Sequence, residues 1–207
     1  KYLTISILPL MWSVYFLFEI LTGRVKDLPT IIGNIALIIL FALVGFYFYK
    51  LSQKYPQGFK CKTIIIIFSI LMVIDQGIKL IIKFFFFEDY IDIIKGFLSF
   101  NPIINTDGSW LNARFSTGIS FPLLIFVNFI AIVLFFELYR YYLSKGNNSF
   151  YGDMCFLFIF SGSLCSLIDK IFYGGSLDFI GISNLFIADI KDIYINLGIL
   201  FFIISIV

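Results

Sequence analysis

The sequence predicts an all-α integral membrane protein with six transmembrane helices, and two observations carry this prediction. Of the 207 residues, 60% are hydrophobic and only 14% are charged, whereas about a quarter of the residues in a soluble domain are charged. In addition, six segments hold the roughly 20 predominantly apolar residues that a helix needs to cross the hydrocarbon core. The composition therefore excludes an ordinary soluble fold.

The six predicted spans follow one another along the whole chain. They run approximately from Tyr2 to Leu21, Ile31 to Tyr49, Thr63 to Phe85, Ser120 to Leu143, Tyr151 to Tyr173, and Ile187 to Val207. Glycine, proline and asparagine residues in the connectors separate them. The first segment lacks an Ala-x-Ala-like cleavage site, so we expect a retained helix rather than a signal peptide.

The connector between the third and fourth spans is too long for a passive link. It covers residues 86–118 and mixes aromatic with polar side chains. Its portion Ile-Asp-Ile-Ile-Lys-Gly-Phe-Leu, residues 91–98, is typical of a short amphipathic or strand element at the membrane interface.

The basic residues of the connectors predict the orientation in the membrane. Lysines crowd the second connector and two basic residues lie in or near the fourth; these are Lys50, Lys54, Lys60, Lys62, Arg140 and Lys145. Because positively charged connectors stay in the cytoplasm, both chain ends are expected there. Most of the acidic residues then lie on or near the outer side, where we expect a functional site.

Several classes of chemistry are disfavoured by what the chain lacks. It contains no histidine, and its three cysteines have no Cys-x-x-Cys spacing, so a zinc site or a Cys/His nucleophile is hard to build. We expect no metal and no cofactor. The net charge of +2 without a basic run argues against a nucleic-acid partner. Acid–base chemistry must therefore use carboxylates, lysine or tyrosine.

Charged residues inside the third span form the first candidate constellation. Asp75 and Lys79 are four residues apart, so they share one helix face and can form an ion pair. The pair is either purely structural or holds polar groups of the site. In the long connector, Asn105 and Gly108 frame either an Asx turn or an amide that can bind a peptide backbone.

The second constellation lies at and after the end of the fifth span. Asp169 and Lys170 end that span, and Asp178 and Asp189 follow across a glycine-rich turn. Two carboxylates held close together can share a proton, so that one acts as a base and the other as an acid. Asp189, near the start of the last helix, is the expected base, and Asp178, between apolar residues, the expected acid. Lys191 and Asp192 are predicted mainly to mark the end of a span.

These residues, in this order, resemble the lipoprotein signal peptidase (signal peptidase II) family. The matching motifs are Asp75-x-x-x-Lys79, Asn105 with Gly108, Gly162-x-x-x-Ser166-x-x-Asp169-Lys170, Asp178-Phe179, and Ala188-Asp189. The resemblance divides the chain into a four-helix catalytic core at residues 63–207 and two additional N-terminal helices with a basic loop at residues 1–62.

The resemblance implies a membrane aspartyl endopeptidase of a bacterial inner or cytoplasmic membrane. It would cleave the signal peptide of prolipoproteins before a diacylglyceryl-modified cysteine, in contact with membrane lipids. It implies that Asp178 and Asp189 are catalytic. The other motif residues would support them or bind substrate: Asp75, Lys79, Asn105, Gly108, Ser166, Asp169 and Lys170.

Two alternatives stay open from the residues. Ser166, Lys170 and Phe186 stand where the family usually has Asn, Arg and Asn, which would suit a non-catalytic relative that binds lipoproteins or lipids. A small transporter could instead use Asp75, Lys79 and Asp169 as a polar pathway. Against the transporter, the charges cluster at one membrane face rather than at the midplane, where transporter sites usually lie.

Overall fold

The computed structural model describes residues 1–107 and 119–206, which form six long helices and a small sheet. The helices are α1 (Tyr2–Leu21), α2 (Leu28–Lys54), α3 (Cys61–Ile81, prolonged by a π-helical turn at Ile82–Phe86), α4 (Phe121–Ser144), α5 (Phe150–Tyr173) and α6 (Ile190–Ile206). The strands are β1 (Ile91–Ile94), β2 (Leu98–Asn105), β3 (Ser176–Ile182) and β4 (Phe186–Ala188).

The helices confirm the predicted class of all-α integral membrane protein. Within the described residues, α1 to α5 are each long and apolar enough to cross a membrane. Helix α6 is shorter, with 17 residues, and carries Lys191 and Asp192 in its first turn. It begins three residues after the predicted Ile187, because Ile187 and Ala188 pair with β3 instead.

Helix α5 is the centre of the bundle. It packs against α3, α4 and α6, and its Phe150 and Leu157 meet Leu200 and Phe201 of α6 in a core that is almost completely buried. Helices α1 and α2 pack on each other. Phe48 of α2 joins this pair to the core, with its ring centroid 4.9 Å from that of Phe201.

The sheet lies at the end of the bundle where α3 and α5 finish. Its strand order is β1-β2-β3-β4, and all neighbours are antiparallel. Residues 91–98 contribute β1 and the start of β2, so the strand alternative predicted there is the one observed. The pairing of Ile103 with Asp178 places that carboxylate next to the end of β2.

The opposite end of the bundle is tied together by Asp153, near the start of α5. Its carboxylate accepts hydrogen bonds from the backbone N–H of Phe59, at 2.6 Å, and from the hydroxyl of Tyr139, at 2.8 Å. The α2–α3 connector therefore meets the ends of α4 and α5. The two basic connectors share one face of the molecule, and the sheet lies at the other.

Candidate active site

The antiparallel β3–β4 hairpin brings the two predicted catalytic carboxylates together. Asp178 lies near the start of β3, and Asp189 directly follows β4. Because Ile180 pairs with Ala188, both aspartates lie at the open end of the hairpin. Oxygens of Asp178, Asp189 and Asp192 lie within 4.8 Å of one another, and the side chains of Asp178 and Asp189 are buried.

Asp189 also caps helix α6. Its Oδ1 accepts the backbone N–H of Asp192 at 3.2 Å, while Oδ2 of Asp192 accepts the backbone N–H of Asp189 at the same distance. This reciprocal arrangement is that of a capping box, with aspartate in both positions. The positive end of the helix dipole favours the charged form of Asp189.

Lys79 connects the third span to the hairpin. Its ammonium group lies 3.0 Å from Asp75, 2.6 Å from Asp169 and 2.6 Å from Asp189, and all four side chains are fully buried. Gln76 reinforces the arrangement by donating to Asp75 at 2.9 Å and to Asp169 at 3.0 Å. The Asp75–Lys79 pair therefore belongs to the site and is not only a local pair on one helix.

Lys191 is a residue of the candidate site that sequence reasoning missed. Its ammonium group contacts Asp189 directly, lies 2.5 Å from Oγ of Ser176, and lies 3.5 and 3.7 Å from Asp169 and Asp178. The available signal was a lysine in the first turn of an apolar helix, two residues after the predicted catalytic Asp189. That pattern equally describes the solvated end of a span.

Asn105 forms the predicted Asx turn, and its amide contacts a carboxylate of the site rather than a peptide backbone. Its amide donates to Oδ2 of Asp178 at 3.0 Å, and its Oδ1 accepts the backbone N–H of Asp107 at 3.1 Å. The Asx turn thus holds the amide that touches the candidate acid. Ser176 donates to the other oxygen of Asp178 at 2.5 Å. Gly108, also predicted to belong to the site, lies outside the described residues.

Ser166 and Lys170 form a pair beside the carboxylates. The ammonium group of Lys170 donates to Oγ of Ser166 at 2.5 Å, one helical turn away. Both residues differ from the usual family pattern, and in this chain each is the hydrogen-bond partner of the other. Phe186, the third difference, packs edge-on against the rings of Trp12 and Tyr15 of α1, at 6.1 and 5.6 Å. It serves as a contact for α1.

The sequence profile of the family described as signal peptidase (SPase) II matches residues 65–207. The chain belongs to the signal peptidase II family. Membership confirms the resemblance predicted from the motifs. It makes the chain a multi-pass membrane protein of a peptidase family, associated in general with the processing of lipoprotein signal peptides.

Two solved structures share the fold of this signal peptidase II family member. Both are described as bacterial membrane enzymes determined by the in meso method. The one at 2.3 Å resolution is 22% identical, has a TM-score of 0.58, and aligns over 73% of this chain and 91% of its own. The one at 1.9 Å is 21% identical, with a TM-score of 0.57 over 74% and 97%. No curated protein sequence matches the chain.

The two candidate catalytic carboxylates have opposite electrostatic environments. Burial raises the pKa of Asp178 above its usual range and outweighs the opposing effects of Lys191, Ser176 and Asn105. Burial would also raise the pKa of Asp189, but the positive charges of Lys191 and Lys79 outweigh it, so the pKa of Asp189 is lowered. The pair is therefore asymmetric, and Asp189 loses its proton at lower pH than Asp178.

The number of charged groups in the site indicates that at least one of its carboxyl groups keeps its proton. We call the following seven residues the buried charge cluster: Asp75, Asp169, Asp178, Asp189, Asp192, Lys79 and Lys191. Within the described part of the chain it has five carboxylates and two ammonium groups, and the buried Lys170 beside it adds a third positive charge. Full ionisation would therefore leave two unbalanced negative charges. Unpaired charge is expensive to bury, so protonation of Asp178 relieves the imbalance.

The same cluster contains the one group of described carboxylates close enough to share a cation: Asp178, Asp189 and Asp192. Lys191 already places an ammonium group against Asp189 and 3.7 Å from Asp178. Positive charge at this position is therefore supplied by the chain itself.

Proposed function

We propose that the protein is a membrane aspartyl endopeptidase that cleaves prolipoproteins before a diacylglyceryl-modified cysteine. One observation carries this proposal: a single hairpin holds two buried carboxylates within 4.8 Å of each other, with pKa values displaced in opposite directions. Pairs of titratable groups whose pKa values are pushed apart are typical of acid–base assignments. Family membership supports a peptidase.

The proposed reaction uses Asp189 as the base and Asp178 as the acid. Asp189 takes a proton from a water molecule whose oxygen attacks the scissile carbonyl carbon, while Asp178 donates its proton to the carbonyl oxygen. As the tetrahedral intermediate collapses, Asp189 gives its proton to the leaving nitrogen and Asp178 recovers one from the hydroxyl group. Both carboxyl groups then return to their starting states.

The remaining site residues keep the two carboxylates in position. Lys79, tied to Asp75 and Asp169, holds Asp189 from α3. Asn105 holds Asp178 from β2. Because these residues hold the reacting groups in place beforehand, the groups do not have to be reorganised during the reaction. Such preorganisation accounts for a large part of enzymatic rate enhancement.

We place the catalytic core at residues 63–207, with residues 1–62 as an addition, in a bacterial inner or cytoplasmic membrane. The site faces the outer side, where lipid-modified substrates are accessible. The signal-peptide helix enters sideways from the bilayer, and the acyl chains of the diacylglyceryl group stay in lipid.

Cleavage of a diacylated prolipoprotein by the purified protein in lipid tests this function. The wild type is compared with Asp178→Asn and Asp189→Asn, and with Asp89→Asn as a control, because Asp89 is exposed after α3 and lies outside the cluster. We expect both site variants to lose about 10²–10⁴-fold in kcat, and the control to retain full activity. Full cleavage by either site variant contradicts the assignment of the pair.

A second candidate is a non-catalytic relative that binds lipoproteins. The observation that favours it is the ammonium group of Lys191, which contacts Asp189 and lies 3.7 Å from Asp178, close to where the attacking water must sit. This candidate predicts binding of the diacylated prolipoprotein without cleavage by the wild type, and binding that persists in Asp178→Asn.

A further inference from the structure

The helices outside the family match hold the turn between the two candidate catalytic residues. Residues 183–185 link β3 to β4. The guanidinium group of Arg24, in the α1–α2 connector, donates from Nη2 to the carbonyl oxygens of Asn184, at 2.8 Å, and of Leu185, at 2.7 Å. One side chain therefore fixes two successive peptide groups of the turn.

Arg24 is itself held in place by a buried acid. Its Nη1 lies 3.3 Å from both carboxylate oxygens of Glu19 in the last turn of α1, and the Glu19 side chain is fully buried. An arginine fork that is fixed on one side by a carboxylate loses little further freedom when it binds carbonyl groups on the other. The Glu19–Arg24 pair thus acts as a rigid bracket from α1.

Helix α2 holds the same turn through a second polar contact. The hydroxyl of Thr30 hydrogen-bonds to the hydroxyl of Ser183, and the backbone N–H of Ser183 donates to the carbonyl of Phe97 at 2.6 Å. Ser183 has a φ of +50°, a conformation that non-glycine residues adopt infrequently. These contacts help to keep the turn in that conformation.

Aromatic side chains of α1 also pack against the hairpin. The rings of Trp12 and Tyr15 of α1 pack edge-on against Phe186, the first residue of β4. Trp12 in turn donates to Asn34 of α2 at 3.1 Å, and Asn34 is fully buried. Both N-terminal helices therefore contact the hairpin at its closed end, while Asp178 and Asp189 lie at its open end.

We propose that Arg24, bracketed by Glu19, is a positioning residue that sets the geometry of the Asp178–Asp189 pair by fixing the β3–β4 turn. The turn begins five residues after Asp178 and ends four residues before Asp189. The pairing of β3 with β4 links the position of the turn to the positions of both aspartates. This inference rests on the proposed function and assigns the N-terminal helices a role in it. Arg24 touches neither carboxylate, so its effect is indirect.

The test compares Arg24→Met, Arg24→Lys and Arg24→Gln with the wild type, and uses Arg140→Met as the matched control. Arg140 forms an exposed ion pair with Glu137 near the end of α4, at the opposite end of the bundle. Two properties are measured: the kinetics of prolipoprotein cleavage across pH, and the hydrogen–deuterium exchange of residues 178–189 relative to α5. The second requires no activity.

Arg24→Met is expected to lower kcat by about 10–100-fold with little change in KM, because a small misplacement of reacting groups costs about that much. It should also shift the pH profile of kcat and speed exchange in residues 178–189 but not in α5. Arg24→Lys should recover part of the rate, because lysine supplies a donor without the fork. Arg140→Met should match the wild type in every measurement.

A purely structural role predicts a different result: less folded protein, but wild-type kcat, pH profile and exchange in the fraction that folds. That result overturns the inference. If Arg24→Met does not fold, the same measurements on Arg24→Lys and Arg24→Gln decide between a positioning and a purely structural role. If the wild type itself cleaves nothing, the proposed function fails, and the exchange of residues 178–189 alone decides whether Arg24 fixes the hairpin.

Discussion

Lys191 is the residue that most distinguishes this site from a simple pair of carboxylates. Its ammonium group contacts Asp189, Ser176 and, at longer range, Asp178 and Asp169. It lowers the pKa of both candidate catalytic aspartates, but only for Asp189 is the net result a lowered pKa. Lys191 therefore opposes the effect of burial on the pKa values of both aspartates, in addition to its direct contact with Asp189.

Replacement of Lys191 by methionine should move the pH profile of cleavage to higher pH. Activity rises with pH as Asp189 loses its proton and falls as Asp178 loses its own. Without the ammonium group both pKa values increase, so both limbs of the profile shift in the same direction. The measurement is kcat/KM as a function of pH. Lys95→Met, at an exposed position in the β1–β2 turn, is the control and should leave the profile in place.

An unchanged profile in Lys191→Met would show that another charge controls the aspartates. Higher activity across the whole pH range would instead support an inhibitory Lys191, as the binding candidate requires. The three outcomes are separated by one series of rate measurements.

Residue types and order predicted much of the candidate site. Ionisable side chains in an apolar sequence are costly, so Asp75, Lys79, Asp169, Asp178 and Asp189 could be selected without coordinates. The contacts among these residues could not be predicted from the sequence. Lys191 was missed because a helix start can face lipid headgroups or the bundle interior, and only the packing of α6 on α5 decides which.

The contact between α5 and α6 depends on glycines at which the helices touch. A Cβ added to Gly162 would lie 2.8 Å from Cγ1 of Ile195 and 3.2 Å from the carbonyl oxygen of Lys191. The close approach therefore occurs at the first turns of α6, where Lys191 enters the buried charge cluster. A side chain there would push α6 outward together with its lysine.

Gly162→Ala should destabilise the protein by about 1–3 kcal/mol, the usual cost of overpacking, and should lower kcat because Lys191 moves. The matched control is Gly77→Ala in α3, where an added Cβ meets nothing within 4 Å and alanine improves helix propensity. Thermal unfolding in detergent and the cleavage rate are measured for both. Equal behaviour of the two variants would contradict a role for the close contact.

The helices could be predicted from the sequence, whereas the sheet could be predicted only in part. Long apolar runs predicted all six helices to within a few residues. The strand option at residues 91–98 was visible from its composition, but β3 and β4 were predicted as a turn and the start of a helix. Ile187 and Ala188 are apolar and suit either structure. They become strand because β2, more than 70 residues earlier in the chain, supplies the partner for β3.

At the scale of the whole molecule, the two ends of the bundle have different chemistry. One end carries the sheet, the buried charge cluster and the Arg24 contacts. The other joins the two basic connectors through Asp153. Since connectors rich in lysine and arginine remain in the cytoplasm, this polarity predicts an outward-facing site, which a prolipoprotein substrate anchored in the outer leaflet could reach.

Cysteine labelling tests this orientation directly. Cys61, at the start of α3 on the basic end, is exposed, whereas Cys155 and Cys165 are buried. A membrane-impermeant maleimide should therefore label the wild type at Cys61 in inside-out vesicles but not in intact cells. A Lys95→Cys variant that also carries Cys61→Ser should show the reverse, because Lys95 lies in the β1–β2 turn next to the sheet. Labelling of Cys61 from outside would place the carboxylates on the cytoplasmic face, where lipoprotein maturation after export could not use them.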